Sequence, residues 1–254
     1  MVWGSFSAVH LISLILAAGM IAGLYFWLRR RSHRVQTWVL GILSFSGVCA
    51  MVFNLVAWGS PLEYLPFHLC SLTAIILPFA VLTGSRVLNN LLLLWGLGAL
   101  AALVMNTAQA EFLLLSPAFF FYYFPHVFEF GVVLLMFLLG RAKKDATCIL
   151  PTLGITVLAY TAAHFVNLAV NAYSVANELI NPMGEPLRVN YMFSLVPENS
   201  LLQLFYRILP EPYWYMFLCI PIIAVYLCCI YTPELLTEVR TRKKSKDLWR
   251  KDET

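Results

Sequence analysis

Charge is what this chain has least of: only 12% of its 254 residues are Asp, Glu, Lys or Arg, about half the share in an ordinary water-facing domain. So little polar surface cannot cover a folded body of this size in water, which excludes a soluble enzyme, a coiled coil and a disordered chain together. Polar linkers are missing as well, so nothing separates a second folded domain, and no internal repeat is visible. The six cysteines, Cys49, Cys70, Cys148, Cys219, Cys228 and Cys229, all fall in or at the ends of apolar runs, which implies no disulfide framework. What the chain has instead is apolar residues, 61% of the total, with 18 Phe, 12 Tyr, 7 Trp and a mean hydropathy of +0.77. The solvent implied is lipid.

A bilayer core about 30 Å thick needs about 20 mostly apolar residues per helical crossing. Seven such runs occur, near 7–28, 37–58, 66–83, 88–106, 117–140, 148–171 and 212–232. The fold expected is all-α, a polytopic bundle of seven transmembrane helices forming one domain over residues 1–239, with a basic tail at 240–254. Lys and Arg gather on cytoplasmic loops close to span ends. Here Arg29, Arg30, Arg31 and Arg34 follow the first span, Arg86 the third, Arg141, Lys143 and Lys144 the fifth, and Arg240, Arg242 and Lys243 the seventh. The loops 59–65 and 107–116 hold neither. The N-terminus is therefore expected outside and the C-terminus inside. The net charge of +4 reports this topology and contact with anionic lipid, not nucleic acid.

Polar groups within a span are costly and tend to face the bundle interior or a wet cavity. Tyr160, His164, Asn167 and Asn171 stand at offsets 0, 4, 7 and 11, one face of a helix. Tyr122, His126 and Glu129 repeat the pattern in the fifth span, and a carboxylate one turn from an imidazole could orient it. The third span opens with Pro66, read as its first helical residue, followed by His68, Cys70 and Thr73; the fourth ends at Asn106. At 1.5 Å per residue His68, His126 and His164 lie about 3, 14 and 11 Å below the outer surface, depths compatible with one outward-facing pocket. Two residues apart on a helix, His68 and Cys70 point to opposite sides, so any nucleophile and base pair forms between helices. Three imidazoles with Glu129 would suit a zinc ion, but no local ligand spacing such as H-x-x-x-H supports a metal.

The outer loop, 172–211, is long enough to suggest a function. Within it Asn199 to Leu209 reads as a short amphipathic helix with an Asn cap and a stop at Pro210, placed to cover the pocket.

Leu65-Pro66-Phe67-His68-Leu69-Cys70-Ser71-Leu72, Tyr123-Phe124-Pro125-His126 and Asn190-Tyr191-Met192-Phe193 resemble the YwaF-like integral membrane proteins of bacteria and, more distantly, the eukaryotic transmembrane protein 164 family. The resemblance covers most of the chain. It implies a multi-pass protein of the bacterial cytoplasmic membrane whose eukaryotic relatives look like lipid acyltransferases, distantly similar to intramembrane hydrolases that pair a Thr or Cys with a His. Carried over, His126 is the base, and the nucleophile lies among His68, Cys70 and Thr73. If the relatives' cysteine corresponds instead to Phe67, the covalent mechanism does not transfer.

The function expected is transfer or hydrolysis of a lipid acyl ester, with membrane lipid as partner and no cofactor. His126 serves as general base oriented by Glu129, and Cys70 as nucleophile. His68, Asn106, His164 and Asn167 bind the carbonyl or headgroup, with Asn171, Tyr160 and Thr73 on the same lining. The alternative is a small-solute or proton-coupled transporter using the same pocket.

Overall fold

The structure, a computed structural model, describes residues 1–105, 111–234 and 236. A two-residue strand β1 (Val2–Trp3) precedes α1 (Ala8–Leu28), α2 (His33–Ser44), α3 (Ser46–Trp58), α4 (Leu69–Thr83) and α5 (Arg86–Val104). β2 (Phe112–Leu113), α6 (Pro117–Leu138), α7 (Ile149–Ala176), α8 (Ser200–Ile208) and an apolar helix α9 (Trp214–Glu234) follow. Serine opens most of the long helices. The hydroxyls of Ser7, Ser32, Ser85 and Ser116 accept from backbone N–H groups three residues on, and Pro117 supplies a first helical residue that needs no acceptor. Gly59, Gly84 and Gly140 close turns at positive φ.

Six helical stretches are long and apolar enough to cross a membrane: Ala8–Leu28, His33–Trp58, Arg86–Val104, Pro117–Leu138, Ala146–Ala176 and Trp214–Glu234. The apolar run at 66–83 differs from expectation. Its helix, α4, is only 15 residues and begins at Leu69, because Pro66 and Phe67 lie in a turn closed by the Phe67 N–H on the Leu65 carbonyl and His68 takes an extended cap conformation. Pro66 is therefore not the first helical residue. α2 and α3 form a single apolar stretch broken at Phe45. The Ser44 hydroxyl bonds back to the Gly41 carbonyl at 2.6 Å, and the Phe45 N–H turns to Ile42 instead, tightening the turn.

α5 and α6 form the centre: 56% and 50% of their apolar windows are buried, against 17–28% for the other long stretches, which leave the remainder for lipid. α4 packs between this centre and α2–α3, α1 lies on α6, and α7 and α9 lie on α5. Leu77, Ala80, Leu92, Val132 and Leu135 fill the main core with Leu28 and Leu40 from α1 and α2.

The turns that carry Lys and Arg meet at one end. Arg141 donates to the His33 carbonyl at 2.9 Å, Arg86 pairs with Asp145 at 2.9 Å, and Lys144 pairs with Glu234 at 2.7 Å. The Asp145 carboxyl is held below the usual range, first by its bonds from Thr147 and then by Arg86. Under this surface Asn90 donates to the Arg86 and Lys143 carbonyls and accepts from the Asp145 N–H and, at 2.6 Å, from the Tyr231 hydroxyl, tying α5, the turn before α7 and α9 together. At the other end β1 pairs antiparallel with β2. The tail at 240–254 lies outside the described residues.

Asn90 predicts a graded loss. Tyr231→Phe removes one bond and lowers stability by about 1 kcal/mol, whereas Asn90→Leu also strands buried backbone groups and costs about 1–3 kcal/mol more. Melting of the detergent-solubilised variants, read by intrinsic fluorescence, checks the order; equal midpoints for all three proteins would remove Asn90 as the tie.

Candidate functional site

On α6 the side chains of Tyr122, His126 and Glu129 share a face, one turn or slightly less apart. Pro125 has no N–H for the Phe121 carbonyl and loosens this turn. The His126 imidazole bonds through Nδ1 to the Tyr122 carbonyl at 2.6 Å, with the two rings 4.6 Å apart. A carbonyl only accepts, so Nδ1 carries the hydrogen and Nε2 keeps its lone pair. The group that orients His126 is thus the Tyr122 carbonyl rather than Glu129. Tyr122 is itself held: its hydroxyl donates to the Ala102 carbonyl at 3.2 Å, and Trp3, fully buried, sits 5.7 Å from its ring.

Cys70 stands in the first turn of α4. Ala74, one turn further along the same face of α4, meets Glu129 of α6 at Gly47 of α3, where an added Cβ would stand 2.5 Å from the Ala74 Cβ and 2.7 Å from Glu129 Oε1. Cys70 and His126 each stand about one turn back towards the start of their helices, so Cys70 lies across from the stretch that carries His126. Thr73, buried one turn on, gives its hydroxyl to the Leu69 carbonyl at 2.8 Å. Glu129 is 3% exposed, and its Oε2 has no hydrogen-bond partner among the described residues.

His68 belongs to a different neighbourhood. Its Nδ1 accepts a long bond from the Met192 N–H at 3.4 Å, and its ring stands 5.3 Å from Tyr191 and 5.9 Å from Phe193. His68 and Cys70 do diverge, though His68 does so from the cap and not from within a helix.

The stripe on α7 is occupied by the outer segment that follows it. Asn171 donates to the Val189 carbonyl and accepts from its N–H, at 2.9 and 2.8 Å. Asn167, fully buried, donates to the Tyr191 carbonyl and the Ser194 hydroxyl, both at 2.9 Å, and accepts from the Tyr191 N–H at 2.8 Å. Ser174 extends the row to the Leu187 carbonyl, and the Tyr160 hydroxyl donates to the Tyr213 carbonyl at 2.7 Å. The side chains act as a neighbouring strand would, pairing the backbone of 187–194 along the helix. Met192 and Phe193 take left-handed conformations, φ 51° and 55°, which are strained for such residues and persist because the surrounding bonds fix them. Burial pushes the Tyr191 phenol up to about 12, so it remains a hydroxyl and donates to the Leu62 carbonyl. Burial likewise raises the Glu198 carboxyl, while a 2.6 Å bond from Asn190 acts in the opposite direction.

The histidines divide by their partners. The His164 Nδ1 and the Ser194 hydroxyl lie in hydrogen-bond contact at 3.1 Å, and the same oxygen accepts from Asn167. His10, fully buried, accepts from the Phe6 N–H at Nδ1, 2.9 Å, and its Nε2–H donates to the Leu103 carbonyl at 2.6 Å. His10 and His68, whose Nδ1 atoms accept from backbone N–H groups, therefore carry the hydrogen on Nε2. His126 carries it on Nδ1, which leaves Nε2 as a base.

The expected single pocket is thus divided at the start of α4, with Cys70, Tyr122, His126 and Glu129 on one side and His68, His164, Asn167 and Asn171 with the outer segment on the other. Asn106 lies outside the described residues. Among the described residues no three His, Cys, Asp or Glu side chains are grouped to hold a metal ion. A cavity of about 340 Å³ opens between residues 59–62 and 179–187, and its walls contain none of these side chains. Ser194 and Tyr213 gave no signal in advance, since their roles depend on backbone geometry. His10 and Ser13, at a helical spacing of three on an apolar helix, did give one. Trp3 donates to the Ser13 hydroxyl at 2.9 Å.

A bundle of long apolar helices with histidines fixed in its interior defines a multi-pass membrane protein. The chain belongs to the TMEM164 family, whose model matches residues 5–232. No curated protein and no solved structure matches it.

Losing the Asn167 amide should free the outer segment. In Asn167→Leu the amide hydrogens around Tyr191 exchange about 5–30-fold faster, the factor that 1–2 kcal/mol of lost bonding gives, while those of α6 are unchanged. Mass-resolved hydrogen exchange checks this, and equal protection at 189–194 in both proteins would contradict the clamp.

Proposed function

We propose that this protein moves or hydrolyses the acyl chain of a membrane lipid, with Cys70 as nucleophile and His126 as its base. The observation that carries the reading is the combination on α6: an imidazole whose Nδ1 hydrogen is held by the Tyr122 carbonyl and whose Nε2 keeps its lone pair, on the face that meets α4 about one turn from Cys70. Membership in the TMEM164 family agrees with it.

In the reaction, His126 Nε2 takes the proton from the Cys70 thiol as the sulfur forms a bond to the ester carbonyl carbon. The tetrahedral centre collapses, the ester C–O bond breaks, and the imidazolium returns the proton to the departing alkoxide. The products are an acyl thioester on Cys70 and a lipid alcohol. A second lipid hydroxyl, or water, then repeats the sequence with His126 again as base and releases the thiol. The Tyr122 carbonyl stabilises the imidazolium by holding its Nδ1–H. On the other side His68 carries an Nε2–H donor suited to a headgroup oxygen, with His164 beside the same outer segment, which Asn167 and Asn171 keep in place.

The orientation belongs to the same proposal. Seven crossings, with α4 as a short seventh and residues 1–239 as one domain, put the basic turns on the cytoplasmic side of a bacterial membrane. Two contacts support a crossing by α4. Arg141 joins the end of α6 to the start of α2, and Arg86 joins the start of α5 to the turn after α6, so α4 returns from the far end of α3 to that basic end. The N-terminus and the start of α4 then face outward.

The test is acyl turnover by the purified protein in vesicles of phospholipid labelled in an acyl chain. Cys70→Ala and His126→Gln should each lower the rate by about 100–10,000-fold, and a hydroxylamine-sensitive acyl group should be found on Cys70. Undiminished turnover in either folded variant would overturn the proposal.

A further inference from the structure

Glu129 has no part in the reaction as written, yet its placement is specific. It lies within α6 at 3% exposure, and its Oε2 is sealed from solvent with no hydrogen-bond partner among the described residues. Room for the carboxyl comes from Gly47 on α3: a Cβ there would stand 2.7 Å from Oε1 and 2.5 Å from the Ala74 Cβ, distances that real atoms do not adopt. The three helices thus close around a carboxyl, and Cys70 stands one turn from Ala74 on the face of α4 that meets it. Neither ion pair among the described residues involves Glu129, and the nearest imidazole on its own helix is turned to the Tyr122 carbonyl.

Buried polar atoms are almost always bonded, and one that is not calls for an explanation, of which a catalytic role is one. An ionised carboxylate without a cation beside it is very costly in such surroundings, whereas a neutral carboxyl has one O–H to donate. The acceptor that the proposed reaction brings to Cys70 is the carbonyl oxygen of the acyl ester, which gains negative charge as sulfur adds to carbon.

We propose that Glu129, as a neutral carboxyl, donates a hydrogen bond to that oxygen and is the catalytic donor for the tetrahedral oxyanion. The inference rests on the acyl-transfer reading above. The proton stays on Glu129 throughout: the O–H bond is not broken, and the hydrogen bond shortens as charge develops and lengthens when the thioester forms. The ligand class this fits is an uncharged ester carbonyl. Free fatty acid, as its carboxylate, would lack an attackable carbonyl there.

Turnover in labelled vesicles decides it. Glu129→Gln keeps an N–H donor and the shape, and should retain kcat within about 10-fold; Glu129→Leu keeps the volume without a donor and should lose about 100–1,000-fold in kcat with KM little changed. Turnover by Glu129→Leu within 3-fold of the native rate, in a preparation where Cys70→Ala is inactive, overturns this inference and leaves the acyl-enzyme intact. Activity in Cys70→Ala removes both. Because Glu129→Leu can fail to fold, the native protein supplies a second reading. Dicyclohexylcarbodiimide, which adds to protonated carboxyls, should modify Glu129 and stop turnover in proportion to labelling. Full turnover by protein fully modified at Glu129 overturns the inference.

Discussion

In hydrocarbon a hydrogen-bonding group has no water to fall back on, so each one must find its partner within the chain or remain at high cost. That constraint decides where most polar side chains of this protein go. Serines take the free N–H groups at helix starts, and Ser44 and Thr73 bond back to carbonyls of their own helices. Asn90 serves four partners under the basic end, while Asn167 and Asn171 serve the backbone of the outer segment. Among the described residues a few buried side-chain atoms lack a partner, Ser46 Oγ, Asn89 Oδ1 and Glu129 Oε2 among them. Glu129 stands about one turn from His126, whose Nδ1 hydrogen is committed to a carbonyl and whose Nε2 keeps its lone pair.

His126 and Glu129 occupy one face of α6 near its middle, His126 on the side of the helix start and Glu129 on the side of the basic turns. The surroundings are rigid. Trp3, brought in by the pairing of β1 with β2, packs on His10, Phe119, Tyr122 and Tyr123, so the turn that presents His126 is backed by rings on its outer side. Fixing the imidazole through a main-chain carbonyl makes its orientation a property of the helix itself, not of a second side chain that would have to be desolvated alongside it. The proposed pairing of Cys70 with His126 depends on the spacing of α4 and α6, and α4 is gripped on both sides: Gly98 of α5 accommodates Leu69, and Gly47 of α3 accommodates Ala74.

Much of the architecture was legible because apolar length is a physical requirement of the bilayer. The six long stretches fall within a few residues of the expected runs, and the basic turns gather at one end as their charge implied. The helix at Ser200–Ile208 begins at its predicted Asn cap. Hydropathy could not show that 66–68 precede a short helix, because a Pro-Phe-His turn is as apolar as a helical one. Nor could it show the break at Phe45, which depends on how one serine hydroxyl competes for a carbonyl. The polar face of α7 was readable from its spacing, but its partners are main-chain groups of a distant segment, and side-chain patterns carry no record of those. Glu129 was correctly singled out as the acid within a span; its separation from the imidazole depends on a rotamer.

Everything proposed for the site follows from one difference among the histidines, the ring nitrogen that holds the hydrogen. Solid-state NMR of the protein in bilayers, with ¹⁵N-labelled histidine and His126→Gln for assignment, reads this directly. The account predicts that the His126 resonances show a protonated Nδ1 and an unprotonated Nε2, the reverse of His10 and His68. A His126 ring protonated on Nε2, like those two, would contradict it.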